Sequence, residues 1–314
     1  MVLSMRILHA AITLLWIGAA SPVLAEPLAV DEVAAGIFVH TGVPQYADSN
    51  NRGDIANIGF IVGSEAVAVI DTGNSPSIGR SLREAIRLRT GLPIRYVINT
   101  HMHPDHIFGN AAFADDRPVF VAHADFLPAL MARADGYQRR LEEDLGTEEA
   151  GGATMAAPSR TVEPPPGEPL QLDLGGRVIE VTAWPPAHTN NDVTVFDTAT
   201  ATLFAGDLVF LDRLPTIDGD AVGWLKEMDR LAALPASRVV PGHGPASAPW
   251  PQALEPQRTY LTTLIDDIRA MQKQGGTIEQ AAEQAASSKR GLWRLFDEDN
   301  PRNAVTVFAA LEWE

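Results

Sequence analysis

The sequence predicts an α/β fold in which two β-sheets pack face to face between outer layers of helices. Strand-like segments rich in β-branched residues alternate with segments of helical periodicity along the chain. This alternation occurs twice, on either side of a segment at residues 142–169 that is acidic and then rich in glycine and proline. Two similar halves, each a sheet with helices on one face, would stack sheet against sheet as an α-β-β-α sandwich.

The first half contains five predicted strands and two predicted helices. The strands are residues 37–41, 58–62, 66–70, 95–99 and 119–122. The helices are residues 78–88, which end before Gly91, and residues 124–141, where Pro128 lies near the predicted start. Residues 142–169 are predicted to be a loop or lid that connects the two halves.

The second half has the same kinds of element. Its predicted strands are residues 170–174, 178–182, 193–196, 202–205 and 238–240. Its predicted helices are residues 221–233, 252–274, 277–287 and 302–311.

Charge and cysteine content exclude several classes of function. The chain has 314 residues, a formal net charge of −16 and no cysteine. Without cysteine there is no thiolate nucleophile, no disulfide and no Cys-based zinc site. A surface this acidic repels phosphate backbones, so nucleic acid is not an expected partner.

The N-terminal residues predict an export signal. Arg6 precedes an apolar stretch at residues 7–20, and Val23-Leu24-Ala25 offers a cleavage site. An N-terminal membrane anchor is the alternative, but the apolar stretch is shorter than the roughly 20 residues needed to span a bilayer. We therefore expect a signal peptide at residues 1–25, one catalytic domain at residues 26–314, a periplasmic or secreted location and no membrane span after cleavage.

The strongest motif is His101-Met102-His103-Pro104-Asp105-His106, which directly follows a predicted strand. Four side chains that can bind metal lie within six residues of a chain that has only eight histidines. Imidazole and carboxylate groups suit Zn²⁺, and a loop leaving a strand can direct its side chains to different ions. A solvated His-rich turn is the alternative interpretation.

Three more residues fit the same site because each follows a predicted strand. They are His188 in Pro-Ala-His-Thr, Asp207 after Gly206, and His243 in Pro-Gly-His-Gly. Any one of them alone would more often be a capped loop residue. Together they predict one shared metal site.

The order His-x-His-x-Asp-His, His, Gly-Asp and Gly-His-Gly resembles the metallo-β-lactamase superfamily from about residue 33 to residue 243. The resemblance implies the α-β-β-α sandwich of that superfamily and two Zn²⁺ ions per chain. It implies seven metal ligands: for the first ion His101, His103 and His188; for the second Asp105, His106 and His243; and, shared by both ions, Asp207.

Asp71-Thr72-Gly73 matches a further motif of the superfamily, in which the aspartate supports the histidine loop by hydrogen bonds. An aspartic protease would need a second Asp-Thr/Ser-Gly, and the sequence has none. His103 stands where the di-iron, oxygen-reducing relatives have glutamate. Asp207 is typical of glyoxalase-, nuclease- and lactonase-like members, whereas true β-lactamases usually lack it.

Residues 57–63, the lid and the export signal resemble the periplasmic hydrolases that accompany quinoprotein or sulfur-oxidation systems. The expected activity is that of a zinc-dependent metallohydrolase of the glyoxalase-II-like type. A hydroxide shared by two metal ions would attack an ester, thioester or amide-type small molecule, with Asp105 orienting the nucleophile. Periplasmic redox-pathway proteins are the expected partners.

Three alternatives stay open: an iron-dependent sulfur dioxygenase-like enzyme, a subclass B3-like β-lactamase and a non-catalytic binding module. Specificity is expected to reside in residues 43–56, the lid and the C-terminal helices. His40 and His123 are expected to pack or cap, and His9 lies in the signal. Trp184 is expected to line either the pocket or the core.

Overall fold

The structure is a computed structural model that describes residues 25–153, 155–164 and 167–313. The predicted signal, residues 1–25, and His9 within it therefore lie outside the described residues, apart from Ala25. Among the helices that the structure describes, none combines the length and apolarity that a membrane crossing requires.

The first sheet has seven strands among the described residues, in the spatial order in which they follow one another in the chain. They are β1 (Asp31–Ala34), β2 (Ile37–His40), β3 (Ile58–Val62), β4 (Val67–Ile70), β5 (Ile94–Ile98), β6 (Val119–His123) and β7 (Arg160–Val162). Strands β1 to β4 pair antiparallel, and β4 to β7 pair parallel. The helices of this half are α1 (Pro76–Arg89), α2 (Pro104–Ile107), α3 (Phe126–Leu145), α4 (Thr147–Gly152) and a 3₁₀ helix (Phe108–Asp116).

The second sheet has six strands in the described part of the chain, in the order β13-β12-β11-β10-β9-β8. They are β8 (Leu170–Asp173), β9 (Val178–Ala183), β10 (Val193–Asp197), β11 (Thr202–Phe210), β12 (Arg238–His243) and β13 (Ala248–Pro249). Only β11 and β12 pair in parallel. The helices are α5 (Ala221–Ala232), α6 (Glu255–Lys273), α7 (Ile278–Gln284), α8 (Phe296–Leu311) and 3₁₀ helices at Gln252–Leu254 and Ser287–Leu292.

The two sheets pack face to face because their strands alternate apolar side chains between two faces. In β4, Ala68 and Ile70 join a core shared with strands of the second sheet, while Val67 and Val69 pack on the opposite side with α1. A separate core joins the second sheet to α5, α6 and α8. The layers are therefore helix, sheet, sheet and helix, which confirms the predicted sandwich.

The prediction that residues 142–169 form only a loop or lid is wrong. Helix α3 continues to Leu145, α4 follows it, and β7 adds a parallel strand to the first sheet. Leu141 and Ala150 are buried in an apolar cluster with Met102 and Phe126, so this segment is fixed by packing. The glycine and proline content of the segment predicts turns, and it gives no sign of these tertiary contacts.

Other boundaries differ from prediction. Helix α8, predicted at residues 302–311, begins at Phe296 and contains Pro301. Strand β11 continues to Phe210, with a register irregularity between Phe204 and Phe210, and β12 continues to His243.

His40 ties the start of the described chain to the loop between β2 and β3, as a packing histidine should. Its Nδ1 lies 2.7 Å from the carbonyl oxygen of Ala29, and its Nε2 lies 2.8 and 2.9 Å from the two carboxylate oxygens of Asp54. Burial would lower the pKa of His40, but the hydrogen bond and the charge of Asp54 outweigh it and raise that pKa.

The His40–Asp54 pair should stabilise the fold more at low pH than at high pH. Because the pKa of His40 is raised on folding, its contribution is complete below the unfolded pKa and is lost as the pH rises through the folded pKa. We expect His40→Gln to lower the free energy of unfolding by about 1–3 kcal/mol at pH 6 and by less at pH 9, measured by urea unfolding.

His123→Gln is the matched control, because burial lowers the pKa of His123. Its effect on stability should not shrink as the pH rises. An equal loss for His40→Gln at both pH values would contradict this electrostatic interpretation.

Candidate metal centre

The histidine loop begins where β5 ends and is held by hydrogen bonds to Asp71. Asp71 Oδ1 accepts from the backbone N–H of Thr100 at 2.7 Å, and Oδ2 accepts from the Thr100 hydroxyl at 2.7 Å. Asp71 Oδ2 also lies 2.8 Å from His106 Nδ1. Asp71 has a left-handed backbone with φ of 56°. This conformation is costly, and the three contacts stabilise it. The supporting role predicted for Asp71 matches this arrangement.

All seven predicted ligands converge on one buried point. His101, His103, His188 and Asp207 form one group and Asp105, His106 and His243 form another, with the ligand atoms of each group within 4.8 Å of one another. Asp207 joins the two groups. Its Oδ1 lies 3.1 Å from His106 Nε2, while its Oδ2 lies 3.4 Å from His243 Nε2 and 3.5 Å from His188 Nε2.

Each of the five histidines has its other ring nitrogen held from outside the cluster. The outer partners are Thr100 Oγ1 for His101 at 3.1 Å, Asp218 Oδ2 for His103 at 3.1 Å, Asp71 Oδ2 for His106 at 2.8 Å, the Thr216 carbonyl for His188 at 2.8 Å and the Ile55 carbonyl for His243 at 2.8 Å. Carbonyl and carboxylate oxygens only accept, and the hydroxyl proton of Thr100 is already given to Asp71. Every ring therefore carries its proton on the outer nitrogen.

The inner nitrogens consequently point lone pairs at one another and at two carboxylates. His188 Nε2 and His103 Nδ1 are 3.0 Å apart, and the inner atoms His101 Nε2, His106 Nε2 and Asp207 Oδ1 are buried without a hydrogen-bond partner. Positive charge relieves the repulsion between these groups. Burial would lower the pKa of His106 and of His243, but the neighbouring carboxylates outweigh it and raise both, so the cluster attracts a proton or a metal ion. Inner nitrogens and outer hydrogen bonds of this kind are the usual surroundings of metal-binding histidines. The cluster fits a metal site.

Charges within the cluster also suit metal binding. Burial lowers the pKa of His188 to about 4, and burial together with the neighbouring His106 lowers the pKa of His101 well below its usual range. Both rings are therefore neutral at pH 7, which is the form that binds metal. Burial would raise the pKa of Asp207, but the histidines around it lower that pKa and keep the carboxylate ionised.

The close approach of β11 and β12 depends on glycine. A methyl group at residue 242 would overlap Asp207 Oδ1, so only glycine lets the Asp207 carboxylate lie against β12. Asn57 anchors the same turn, because its side-chain amide donates to the carbonyl oxygens of Pro241 at 2.9 Å and Gly244 at 3.2 Å.

The cluster forms the floor of an open pocket of about 540 Å³. Asp105, Asp207 and His243 line the floor, and the walls come from four segments. These are the loop after β2 with Tyr46 and Ile55, helix α3 with Arg133, Tyr137 and Arg140, the segment after β11 with Arg213 and Asp218, and helix α8 with Asp299 and Arg302.

Most of the sequence-predicted residues lie where the prediction placed them. Two residues predicted to follow a strand lie within one instead: Asp207 lies inside β11, and His243 is the last residue of β12. Trp184 is 2% exposed and donates to Thr194, so it belongs to the core and not to the pocket. His123 accepts from the backbone N–H of Asp125 at 2.9 Å, next to the start of α3.

Among the outer partners of the histidines, only Asp71 was predicted from the sequence; the other partners and the pocket arginines were not. Asp218 and Arg213 are single polar residues in a segment without a motif, and the Ile55 and Thr216 contacts use backbone atoms. No pattern in one sequence could have found them. Among the described residues of the range 142–169, only Asp144 lines the pocket, and α3 supplies that wall.

Comparison with known proteins gives one family and several distant relatives. Residues 51–243 match the family described as Metallo-beta-lactamase superfamily. The linear primary-alkylsulfatase of Pseudomonas sp. is 23% identical over 219 residues, which are 59% of this chain and 40% of the relative. The hydroxyacylglutathione hydrolase of Methylococcus capsulatus is 26% identical over 68% of this chain and 72% of its own.

Solved structures show the same fold. The inverting sec-alkylsulfatase Pisa1 from Pseudomonas sp. superposes with a TM-score of 0.70 at 17% identity, over 90% of this chain and 50% of its own. A metallo-beta-lactamase from Pontibacter korlensis superposes with a TM-score of 0.59 at 23% identity, over 75% of this chain and 99% of its own. The chain thus spans half or less of the length of the two alkylsulfatases.

Gly242→Ala should weaken metal binding, because the added methyl group displaces the Asp207 carboxylate. We expect at least about a tenfold loss of apparent zinc affinity, the scale seen when support around a metal site is disturbed. Competition with a chromophoric chelator measures it.

Gly91→Ala is the control, because a methyl group at residue 91 would meet no atom within 4 Å. Equal zinc affinity in Gly242→Ala and Gly91→Ala would refute the requirement for glycine at residue 242.

Proposed function

Because the chain belongs to the metallo-β-lactamase superfamily, we propose that it is an exported binuclear zinc hydrolase acting on an ester, thioester or amide-type small molecule. The observation that carries the proposal is the cluster itself. Five imidazole lone pairs and two carboxylates meet at the floor of an open pocket. A non-catalytic binding module would have no need of ligands exposed to a pocket.

Zinc is the proposed metal because the donors are imidazoles and carboxylates without thiolate. His101, His103 and His188 would hold one ion, Asp105, His106 and His243 the other, and Asp207 both. When bound, two such ions lower the pKa of a water molecule and polarise a substrate oxygen.

The chain's own residues then position the reactants. Asp105 is the carboxylate of the cluster nearest solvent, with a side chain 16% exposed against 3% for Asp207. It lines the pocket and lies 3.3 Å from His243 Nε2. We assign it the role of accepting a hydrogen bond from the attacking water and orienting that water. Asp207 is buried between the two groups and has the structural role of joining them.

The relatives support hydrolysis without fixing the substrate. One is named as a hydroxyacylglutathione hydrolase and another as an alkylsulfatase, so related chains act on thioester-type and sulfate-ester substrates. A subclass B3-like β-lactamase or an iron-dependent sulfur dioxygenase-like enzyme would be the alternative. Metal analysis of protein purified without added metal distinguishes the dioxygenase-like alternative from the proposed hydrolase: two zinc ions support hydrolysis, and one iron ion with oxygen uptake supports oxygenation.

The pocket favours a substrate that carries an anionic group. Arg213 is 7% exposed, and its Nε and Nη1 are buried without a hydrogen-bond partner. Its guanidinium lies 5.5 Å from the centre of the Tyr46 ring, which holds it at the pocket wall. Arg213 has no ion pair within 4 Å among the described residues, although the Asp299 carboxylate interacts with its charge. We propose that it binds a carboxylate or sulfate group of the substrate.

Export is proposed from Arg6, the apolar stretch that follows it and the cleavage site within residues 1–25. Periplasmic proteins of a quinoprotein or sulfur-oxidation system are the proposed partners. A screen of ester, thioester, lactone, sulfate-ester and β-lactam substrates with zinc-loaded protein would identify the substrate class.

His101→Ala should abolish hydrolysis and lower the zinc content below that of the parent protein, because His101 is 0% exposed and no other side chain can replace its inner nitrogen. Mass spectrometry of the bound metal and the substrate screen measure the two effects. His123→Ala removes a buried histidine outside the cluster and should leave the zinc content unchanged. Retention of both zinc and activity in His101→Ala would refute the assignment.

Arg213→Met should reduce activity towards anionic substrates selectively. We expect kcat/KM for 4-nitrophenyl hemisuccinate to fall about 10- to 100-fold, since a hydrogen bond to a charged group contributes roughly 1.5–3 kcal/mol. The neutral ester 4-nitrophenyl acetate should be hydrolysed as before. Arg87→Met makes the same change of net charge on α1, outside the pocket, and should affect neither ester. Equal losses for both esters would contradict the anionic preference.

A further inference from the structure

His103 is the metal-site histidine least constrained by packing. Its side chain is 17% exposed, whereas those of His101, His106, His188 and His243 are 1%, 0%, 0% and 4% exposed. A buried ring is held by its neighbours, but a ring at the pocket surface depends on its hydrogen bond for orientation.

That hydrogen bond comes from a segment that holds two ligands of the same group. Asp218 Oδ2 lies 3.1 Å from His103 Nε2, and the backbone N–H of Asp218 donates to the carbonyl oxygen of His188 at 3.0 Å. Two residues earlier, the Thr216 carbonyl accepts from His188 Nδ1 at 2.8 Å. Residues 216–218 thus support both His103 and His188, whose inner nitrogens are 3.0 Å apart.

Asp218 is itself held from across the pocket. Arg133 on helix α3 donates from Nη2 to Asp218 Oδ1 at 3.3 Å, so each carboxylate oxygen has one partner. Arg140 lies on the same helix and also lines the pocket, but it donates to Asp144 at 2.7 Å and makes no contact with this segment among the described residues. The series of contacts from helix α3 to the cluster therefore runs through Arg133, Asp218 and His103.

We propose that Asp218 is a positioning residue that fixes the proton and the orientation of His103, and that Arg133 holds Asp218 in place, so that helix α3 supports one of the two metal positions. The inference rests on the proposed binuclear centre. It assigns a supporting role at the metal site to Asp218, which lies outside the ligand motifs. It assigns the same kind of role to helix α3, which lies in the first half of the fold, whereas Asp218 lies in the second.

The expected effect on metal binding is confined to one of the two metal positions. Asp218 contacts a ligand of the His101, His103, His188 group and none of Asp105, His106 and His243. Loss of its charge should therefore weaken one metal position and spare the other. Arg133 acts only through Asp218, so its loss should have a smaller effect of the same kind.

The test is a zinc titration of the full-length protein after removal of metal, with competition by a chromophoric chelator. Asp218→Asn should bind one equivalent about 10- to 100-fold more weakly than the parent protein, with the other equivalent unchanged. Arg133→Met should weaken the same equivalent by a smaller factor. The visible spectrum of the cobalt-substituted protein should change in Asp218→Asn, and Asp218→Glu should restore part of the affinity.

Two control variants make the test specific. Asp220→Asn alters a carboxylate two residues away that accepts from Val222 and not from a histidine, and Arg140→Met alters the neighbouring pocket arginine. Neither should change either zinc affinity. Thermal unfolding of each metal-free variant tests whether it is folded, since a general loss of stability would weaken both positions alike.

The outcomes separate this inference from the proposed function. A parent protein that binds no metal ion would overturn both. Two zinc ions bound equally tightly by the parent protein and Asp218→Asn would overturn the role of Asp218 and leave the binuclear hydrolase standing. Equal weakening of both positions, or the same effect in Asp220→Asn, would also overturn it.

Discussion

The structure depends on seven side chains, five imidazoles and two carboxylates, that face one another where the two halves of the fold meet. Each of the five histidines directs one ring nitrogen to an outer acceptor, so the other ring nitrogen points inward towards Asp105 and Asp207. The outer acceptors come from both halves, with Ile55 and Asp71 in the first and Thr216 and Asp218 in the second. The two sheets must therefore be packed together before the cluster exists, and a bound cation would in turn hold the halves together.

The seven residues of the cluster were predictable from the sequence because each lies in a short motif. His101, His103, Asp105 and His106 lie within six residues, and His243 lies between two glycines. The supporting residues were not predictable for a physical reason. A carbonyl oxygen such as that of Ile55 has no sequence identity, and Asp218 acquires its role from a contact with a residue 115 positions away. Asp71 was found only because the family resemblance supplied its motif.

The fold, like the site, was predictable from the sequence only in part. Segments rich in β-branched residues indicated β3, β4 and β10, and such continuous apolar runs occur because each strand buries its two faces in different cores. Segments in which tertiary contacts outweigh local preference were interpreted wrongly. Residues 142–169 look like a loop in composition, yet Leu141 and Ala150 anchor two helices there. Helix α8 passes through Pro301 because its apolar face, including Val307 and Phe308, packs into the core of the second half.

The same short segment after β11 serves both the pocket and the metal cluster. Arg213 presents its guanidinium to the pocket, while three to five residues later Thr216 and Asp218 hold His188 and His103. In the proposed enzyme, substrate recognition and support of the metal site would therefore share this segment. A backbone shift in the segment would move the contacts to both histidines, whereas replacement of the Arg213 side chain leaves the Thr216 and Asp218 contacts in place. The loop after β2 is tied to the cluster in a similar way, because the Ile55 carbonyl holds His243. Helix α8 lines the pocket and makes no hydrogen bond to a histidine of the cluster among the described residues, so it is the wall where specificity can vary without disturbing the cluster.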